Sequence, residues 1–144
     1  MIVIVIISIL ALIVIPALMS ATRQAKESAL KADLHILRES VEIFHNDTGA
    51  YPQNLNSLIS TTSPTRGVDE NGNSVTITPG MYKGPYLPPN GGIRGRGIPI
   101  NPFIDRSITR VNQHWKYTAN GGYVNVPDSI ADYTTVDGVA FGNL

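Results

Sequence analysis

The 144-residue chain has no cysteine. Disulfides, thiolate metal sites and cysteine nucleophiles are therefore all excluded. It also lacks net charge, with 11 basic residues against 11 acidic ones. That balance gives no electrostatic reason to expect nucleic acid as a partner. Charge is also missing locally: no ionisable side chain occurs from Met1 to Thr22, and Arg23 is the first. Glycine and proline are scarce before residue 48, and neither interrupts residues 17–48. Nearly all of the 13 glycines and 10 prolines lie beyond that point and describe a loop-rich second part. A mean hydropathy of +0.02 averages two very different halves. There are no internal repeats.

The opening run, MIVIVIISILALIVIPALMSAT, is apolar on every face. At 1.5 Å per residue its 22 residues span roughly 33 Å, about the hydrocarbon thickness of a bilayer. A helix with no polar stripe is either enclosed by lipid or enclosed by other helices. A cleavable signal peptide is the competing reading, with residues 16–21 as its small-residue end. Signal peptides need a basic segment ahead of the apolar run, and no Lys or Arg precedes this one.

The pattern after Thr22 also argues against cleavage. Leu30, Leu34, Leu37, Val41 and Phe44 recur at spacings of four, three, four and three, one face of a helix. Between them stand Lys26, Glu27, Lys31, Asp33, Arg38, Glu39 and Glu42, read as a solvated face with i,i+4 pairs such as Glu27–Lys31. The first stop signal is Asn46-Asp47-Thr48-Gly49, so the helix is expected to run to about His45, roughly 68 Å. Three segments follow: an apolar front (1–22), an amphipathic continuation (23–46) and a globular head (47–144). Pro16 sits inside the front, where it frees the Leu12 carbonyl at a cost of about 3 kcal/mol. Membrane helices tolerate such a breaker when neighbours satisfy the freed group.

The head reads as antiparallel β. A short helix is expected from Asn54, a good cap. Residues 74–78 alternate as a strand. Residues 111–118 and 122–126 flank Ala119-Asn120-Gly121 as a hairpin. Residues 131–141 suggest a last strand turning at Asp137-Gly138, and 60–74 and 79–107 read as long loops. The expected class is α+β, with the long helix packed on one small antiparallel sheet.

Little in this head points to chemistry. His35, His45 and His114 show no ligand spacing. Asn71-Gly72-Asn73 matches no phosphate loop, and no nucleophile–base–orienter set is visible. Ile93-Arg94-Gly95-Arg96-Gly97 is a basic glycine loop, read as solvated or as a subunit contact. Trp115 and Tyr117 are read as core. No enzymatic activity and no cofactor are expected.

The residues Ile2–Leu18, with the proline at 16 and the amphipathic continuation, resemble the N-terminal helix of type IV pilins and type II secretion pseudopilins. Asp47-Thr48-Gly49-Ala50-Tyr51-Pro52 is similar to the D-x-G-x-Y-P stretch closing the helix in many pseudopilins. Gly84-Pro85-Tyr86-Leu87, Asn101-Pro102-Phe103 and Trp115-Lys116-Tyr117 resemble pseudopilin head segments more loosely. The match covers roughly the first 52 residues well. In the family a basic leader, a Gly and Phe-Thr-Leu-Ile-Glu come before such a run. In register that glutamate would fall two residues before Met1, and Ser8 stands where members often have Gly.

The resemblance implies a pilin-like fold and a structural subunit of a helical filament, a homopolymer of copies of itself. It implies storage in the bacterial inner membrane before assembly, then an extracellular or periplasm-spanning filament. It also implies a prepilin peptidase and an assembly ATPase with its platform as partners. The assembly residues it implies are Ile2, Ile4, Ile6, Ile9, Leu10, Leu12, Ile13, Ile15, Pro16 and Leu18. Leu30, Leu34, Leu37, Val41 and Phe44 then pack helix against head. Asp128, Asp132 and Asp137 resemble the calcium loops of some major pseudopilins, although turn formation explains them more simply. The alternative function is a monomeric binding module tethered to a membrane by residues 1–22.

Overall fold

The computed structural model of the chain describes residues 2–144 apart from Pro89 and Arg96, and leaves undescribed the side chains of residues 13–17 and of Arg94. The chain is α+β: a long N-terminal helix carries a head of short strands, one-turn helices and loops.

Helix α1 runs Ile2–Thr48, about 70 Å at the helical rise. It passes the expected end near His45 by three residues. Gly49 then stops it: its backbone is left-handed (φ 70°), and its N–H closes the last turn on the His45 carbonyl at 2.7 Å. Leu30, Leu34, Leu37, Val41 and Phe44 are all buried, and the same stripe extends one step further at each end, to Glu27 and Thr48. Those two ends are polar and both are satisfied. Thr48 Oγ1 donates to the Phe44 carbonyl at 2.8 Å. Glu27 is the larger departure from expectation, since the helical pattern places it on the solvated face with Lys31 as its partner. It is buried and paired with Arg23 at 3.2 Å.

Among the described residues, two separate two-stranded antiparallel ribbons replace the single expected sheet. β1 (Arg66–Val68) pairs with β2 (Ser74–Thr76) in the register Arg66↔Thr76. β1 lies inside a segment expected to be loop. Asp69 shapes its turn, accepting from the Asn71 and Asn73 amides at 2.9 and 2.7 Å. A lone bridge between Tyr51 and Val68 joins this ribbon to the chain leaving α1. β1 passes so close there that a Cβ at Gly67 would meet the Ala50 side chain at 2.7 Å and the Tyr51 carbonyl at 2.8 Å. β3 (Lys116–Thr118) and β4 (Tyr123–Asn125) form the expected hairpin, with Tyr117 opposite Val124.

Residues 111–114 are not the expected strand but a one-turn helix, α2 (Val111–His114). The reason is visible in the burial: His114 and Trp115 are adjacent and both fully enclosed. Successive residues of a strand point to opposite faces, so one layer of core cannot bury both. The expected last strand also shrinks, to α3 (Asp128–Ala131) and a single bridge between Thr134 and Ala140. Its turn is retained, with the Gly138 N–H on the Thr135 carbonyl at 3.0 Å. Asn54 precedes a 3-10 helix (Leu55–Ile59) but makes no side-chain cap.

The core sits between the α1 stripe and the head. Trp115 and Phe141 fill its centre, and the Trp115 indole N–H donates to the Pro99 carbonyl at 2.7 Å. Gly122 closes the β3–β4 hairpin onto the helix. A Cβ there would lie 2.4 Å from the Tyr51 ring and 2.8 Å from Val41. Arg38, also expected on the solvated face, reaches across to the Val124 and Leu144 carbonyls at 3.0 and 2.7 Å.

At the far end of α1, Asp47 holds Lys83 at 3.1 Å and the Tyr86 hydroxyl at 3.0 Å. Hydrogen bonding to Lys83, with a further contribution from Tyr86, lowers the Asp47 carboxyl below its usual range. Burial, reinforced by Asp47, pushes the Tyr86 phenol up to about 12. Burial raises Tyr82 and Tyr117 as well. A folded-state phenol raised above its ordinary 10.0 contributes stability that is complete below that value and is lost as pH climbs through the raised one. Thermal midpoints should therefore fall between pH 10 and about 12, and Tyr86→Phe should flatten that fall. An equally steep profile in the variant would remove Tyr86 as its source.

Candidate functional site

The feature that ordinary folding does not explain is the front of α1. Ile2, Ile4, Ile6, Ile9, Leu10 and Leu12 are all exposed, from 52% at Ile6 to 78% at Ile2, and Leu18 is exposed beyond them. Val3, Val5 and Ile7 are exposed too, so the uncovered surface goes around the helix. Its few polar groups are satisfied internally. Ser8 Oγ donates to the Ile4 carbonyl at 2.7 Å, and Thr22 Oγ1 to the Met19 carbonyl at 2.9 Å. Each large aliphatic side chain covered would contribute about 1.5–3 kcal/mol. Large exposed apolar patches on folded proteins generally mark sites of contact with other proteins or with membranes. The expectations at Ile13, Ile15 and Pro16 concern side chains that lie outside the described residues. Among the described residues no helix is long and apolar enough to cross a membrane, the described apolar side chains stopping at Leu12 and resuming at Leu18.

Front and rear meet at a clasp that sequence reasoning missed. Every described side chain of α1 before Glu27 is exposed, and Glu27 is the first one buried. Its carboxylate takes Arg23 Nε at 3.2 Å on one oxygen and the Val136 backbone N–H at 3.0 Å on the other. The Arg23 guanidinium also donates to the Thr134 carbonyl. One ion pair thus pins the 133–139 loop to the helix where the head begins. A signal was present: Glu27 lies three residues before Leu30 and seven before Leu34, in register with the buried stripe.

The other candidates remain apart. His35 is exposed beside Glu39 at 3.7 Å, and His45 stacks on Tyr51 with ring centroids 4.2 Å apart. His114 is enclosed, with Nε2 2.9 Å from the Ile108 carbonyl and Nδ1 without a partner among the described residues. Among the described residues no group of three or more His, Asp or Glu side chains is placed to hold a metal ion. Asp128, Asp132 and Asp137 do not form one, and Asp128 instead pairs with Lys116 at 2.7 Å. In the basic glycine loop, Arg96 and the Arg94 side chain lie outside the described residues.

A cleft of about 420 Å³ opens between the 3-10 helix and α2, lined by Gln53, Asn54, Asn56, Asn112, Arg110 and Tyr117 among others. Among the described residues its walls carry carboxamides and a guanidinium but no carboxylate or imidazole. It offers hydrogen bonds without an acid–base pair. Comparison of the chain with protein-family models, with curated proteins and with solved structures finds no match.

Proposed function

We propose that this protein is a non-enzymatic structural subunit that polymerises through the front of α1 into a helical filament of the type IV pilus or pseudopilus class. The single observation that supports this most is the pairing of two surfaces on one helix. The rear stripe from Glu27 to Thr48 is sealed by the head, while the large aliphatic side chains described in the front, from Ile2 to Leu12 and at Leu18, are uncovered. The resemblance of residues 2–52 to pilin and pseudopilin helices points the same way. A free monomer in water pays for the front at every side chain. Lipid covers it, and so does a bundle of identical fronts.

Transfer from lipid to bundle is nearly neutral in hydrophobic terms, because lipid tails are as apolar as leucine. A bilayer therefore stores subunits outside the cytoplasm, and assembly machinery moves them into a polymer without a large uphill step. Head-to-tail contacts that do not close into a ring give an open helical filament. This role requires no cofactor and no catalytic group.

The test is assembly. Expressed with a pilus or pseudopilus machinery, the full chain should appear as helical filaments in negative-stain micrographs and as a ladder on cross-linking. Exchanging residues 1–22 for an unrelated transmembrane segment should abolish both. Monomers only from the native chain would sink the reading, and filaments from the exchanged chain would leave residues 1–22 as a tether.

A further inference from the structure

The 133–139 loop carries more apolar surface than its place on a small head requires. Among the described residues, Met81, Tyr123, Tyr133, Val136 and Val139 are the exposed large apolar side chains after α1, and three of the five lie here. The loop is not loose. Its turn is closed by the Thr135 N–H on the Val139 carbonyl at 2.8 Å, and Thr135 itself is buried. Arg23 and Glu27 fix it to α1 through the Thr134 carbonyl and the Val136 N–H. The pinned loop holds Tyr133, Val136 and Val139 about half exposed to water, with one edge of the Tyr133 ring against Phe141 at a centroid distance of 6.4 Å and the rest uncovered.

Position supplies the occupant. Arg23 and Glu27 are one and five residues past Thr22, where the uncharged run ends. At the helical rise that is about 1.5–7.5 Å beyond the run. A bilayer about 40–45 Å thick around a core of about 30 Å leaves roughly 5–7 Å of headgroup layer on each side. With the front of α1 in lipid, the loop's anchoring points fall at the depth of the headgroups. Tyrosine favours that depth, with its ring against acyl chains and its hydroxyl hydrated. Arg23 suits it equally. Asp132 and Asp137, both exposed in the same stretch, stay hydrated there and keep the loop from going deeper.

We propose that the 133–139 loop is a membrane-surface contact that seats the head in the headgroup layer while the subunit is stored in a bilayer. This rests on the reading that the front of α1 sits in lipid. Tyr133 and Val136 supply the apolar contact, and the Arg23–Glu27 clasp sets their height. One loop then limits the head's tilt, presenting stored subunits in a common orientation.

The lack of cysteine makes the test direct, because one introduced thiol is unique. Full chains carrying Val136→Cys, or Asn71→Cys on the distant β1–β2 turn, are labelled with an environment-sensitive fluorophore. Each is reconstituted into phosphatidylcholine vesicles bearing a nitroxide on the headgroup or deep in the acyl chain. Flotation reports insertion separately. The expected result is blue-shifted emission at 136, quenched several-fold more than at 71, more by headgroup nitroxide than by acyl nitroxide. Adding Tyr133→Ser should weaken that quenching without changing flotation. If the chain floats but 136 is quenched no more than 71, the loop proposal falls and the apolar front keeps its lipid role. Shielding at 136 that tracks protein concentration rather than lipid assigns the loop to a second copy and also overturns the proposal. A chain that does not float overturns both readings.

Discussion

Leu10→Arg is expected to lower partition of the full chain into vesicles by about two orders of magnitude and to abolish filaments. An arginine near the middle of a membrane helix costs about 2.5–3.5 kcal/mol, while leucine there is favourable by about 0.5 kcal/mol. The difference, roughly 3–4 kcal/mol, corresponds to about a hundredfold or more in an equilibrium constant. A bundle of fronts is no kinder to the charge, since each copy would bring its own guanidinium into an apolar centre. The head should not register the change, because Leu10 is 57% exposed and precedes the first buried residue of α1 by more than four turns. Flotation and micrographs read the loss, and near-ultraviolet dichroism of the buried Trp115 reads the intact head. Leu10→Ile should behave as the native chain. If Leu10→Arg floats and assembles normally, the front has no part in lipid or filament.

What the sequence made legible follows from how many residues share one signal. The buried stripe was plain because five aliphatic and aromatic residues repeat at helical spacing over four turns. Its ends are not, because Glu27 and Thr48 occupy the same register with polar side chains, whose type points to solvent while their position points to the core. Arg38 differs from expectation for a related reason: a long guanidinium can lie over a neighbouring strand while its Cα sits on an open face. In the head, each strand is three residues long. Three residues give one alternation, too little to separate strand from turn, so β1 with its central glycine read as loop. Residues 111–118 gave the opposite error. Their aromatic, β-branched composition suggested one long strand, and the consecutive burial of His114 and Trp115 selected a helical turn instead.

The site was half legible. The exposed front could be read outright, since a run without charge or polar stripe needs an external cover whatever the head does. The loop that meets the helix at Arg23 could not. Its contacts are made by backbone groups of Thr134 and Val136, and side-chain chemistry leaves no trace of those in a sequence.

Phe44→Ala is expected to destabilise the head by about 3–5 kcal/mol, the usual range for emptying a buried aromatic site. Phe44 is fully buried and makes edge-on contacts with Tyr82 and Tyr86, at centroid distances of 5.9 and 5.6 Å. The two tyrosines also meet each other at 5.3 Å, and Tyr86 continues to Asp47. Removing the central ring therefore leaves a cavity and breaks two favourable ring contacts, each worth about 0.5–1.5 kcal/mol beyond area. For a head of about a hundred residues, 1 kcal/mol shifts the midpoint by about 4–8 °C, so a fall of at least 12 °C is expected. Flotation at low temperature should be untouched, because Phe44 lies about 33 Å along the helix from Thr22. The two substitutions thus make a crossed test: Leu10→Arg removes lipid binding from a stable head, and Phe44→Ala removes stability from a chain that still binds lipid. If either variant produces both losses, the front and rear of α1 are energetically coupled, and a head folded independently of the apolar front has to be given up.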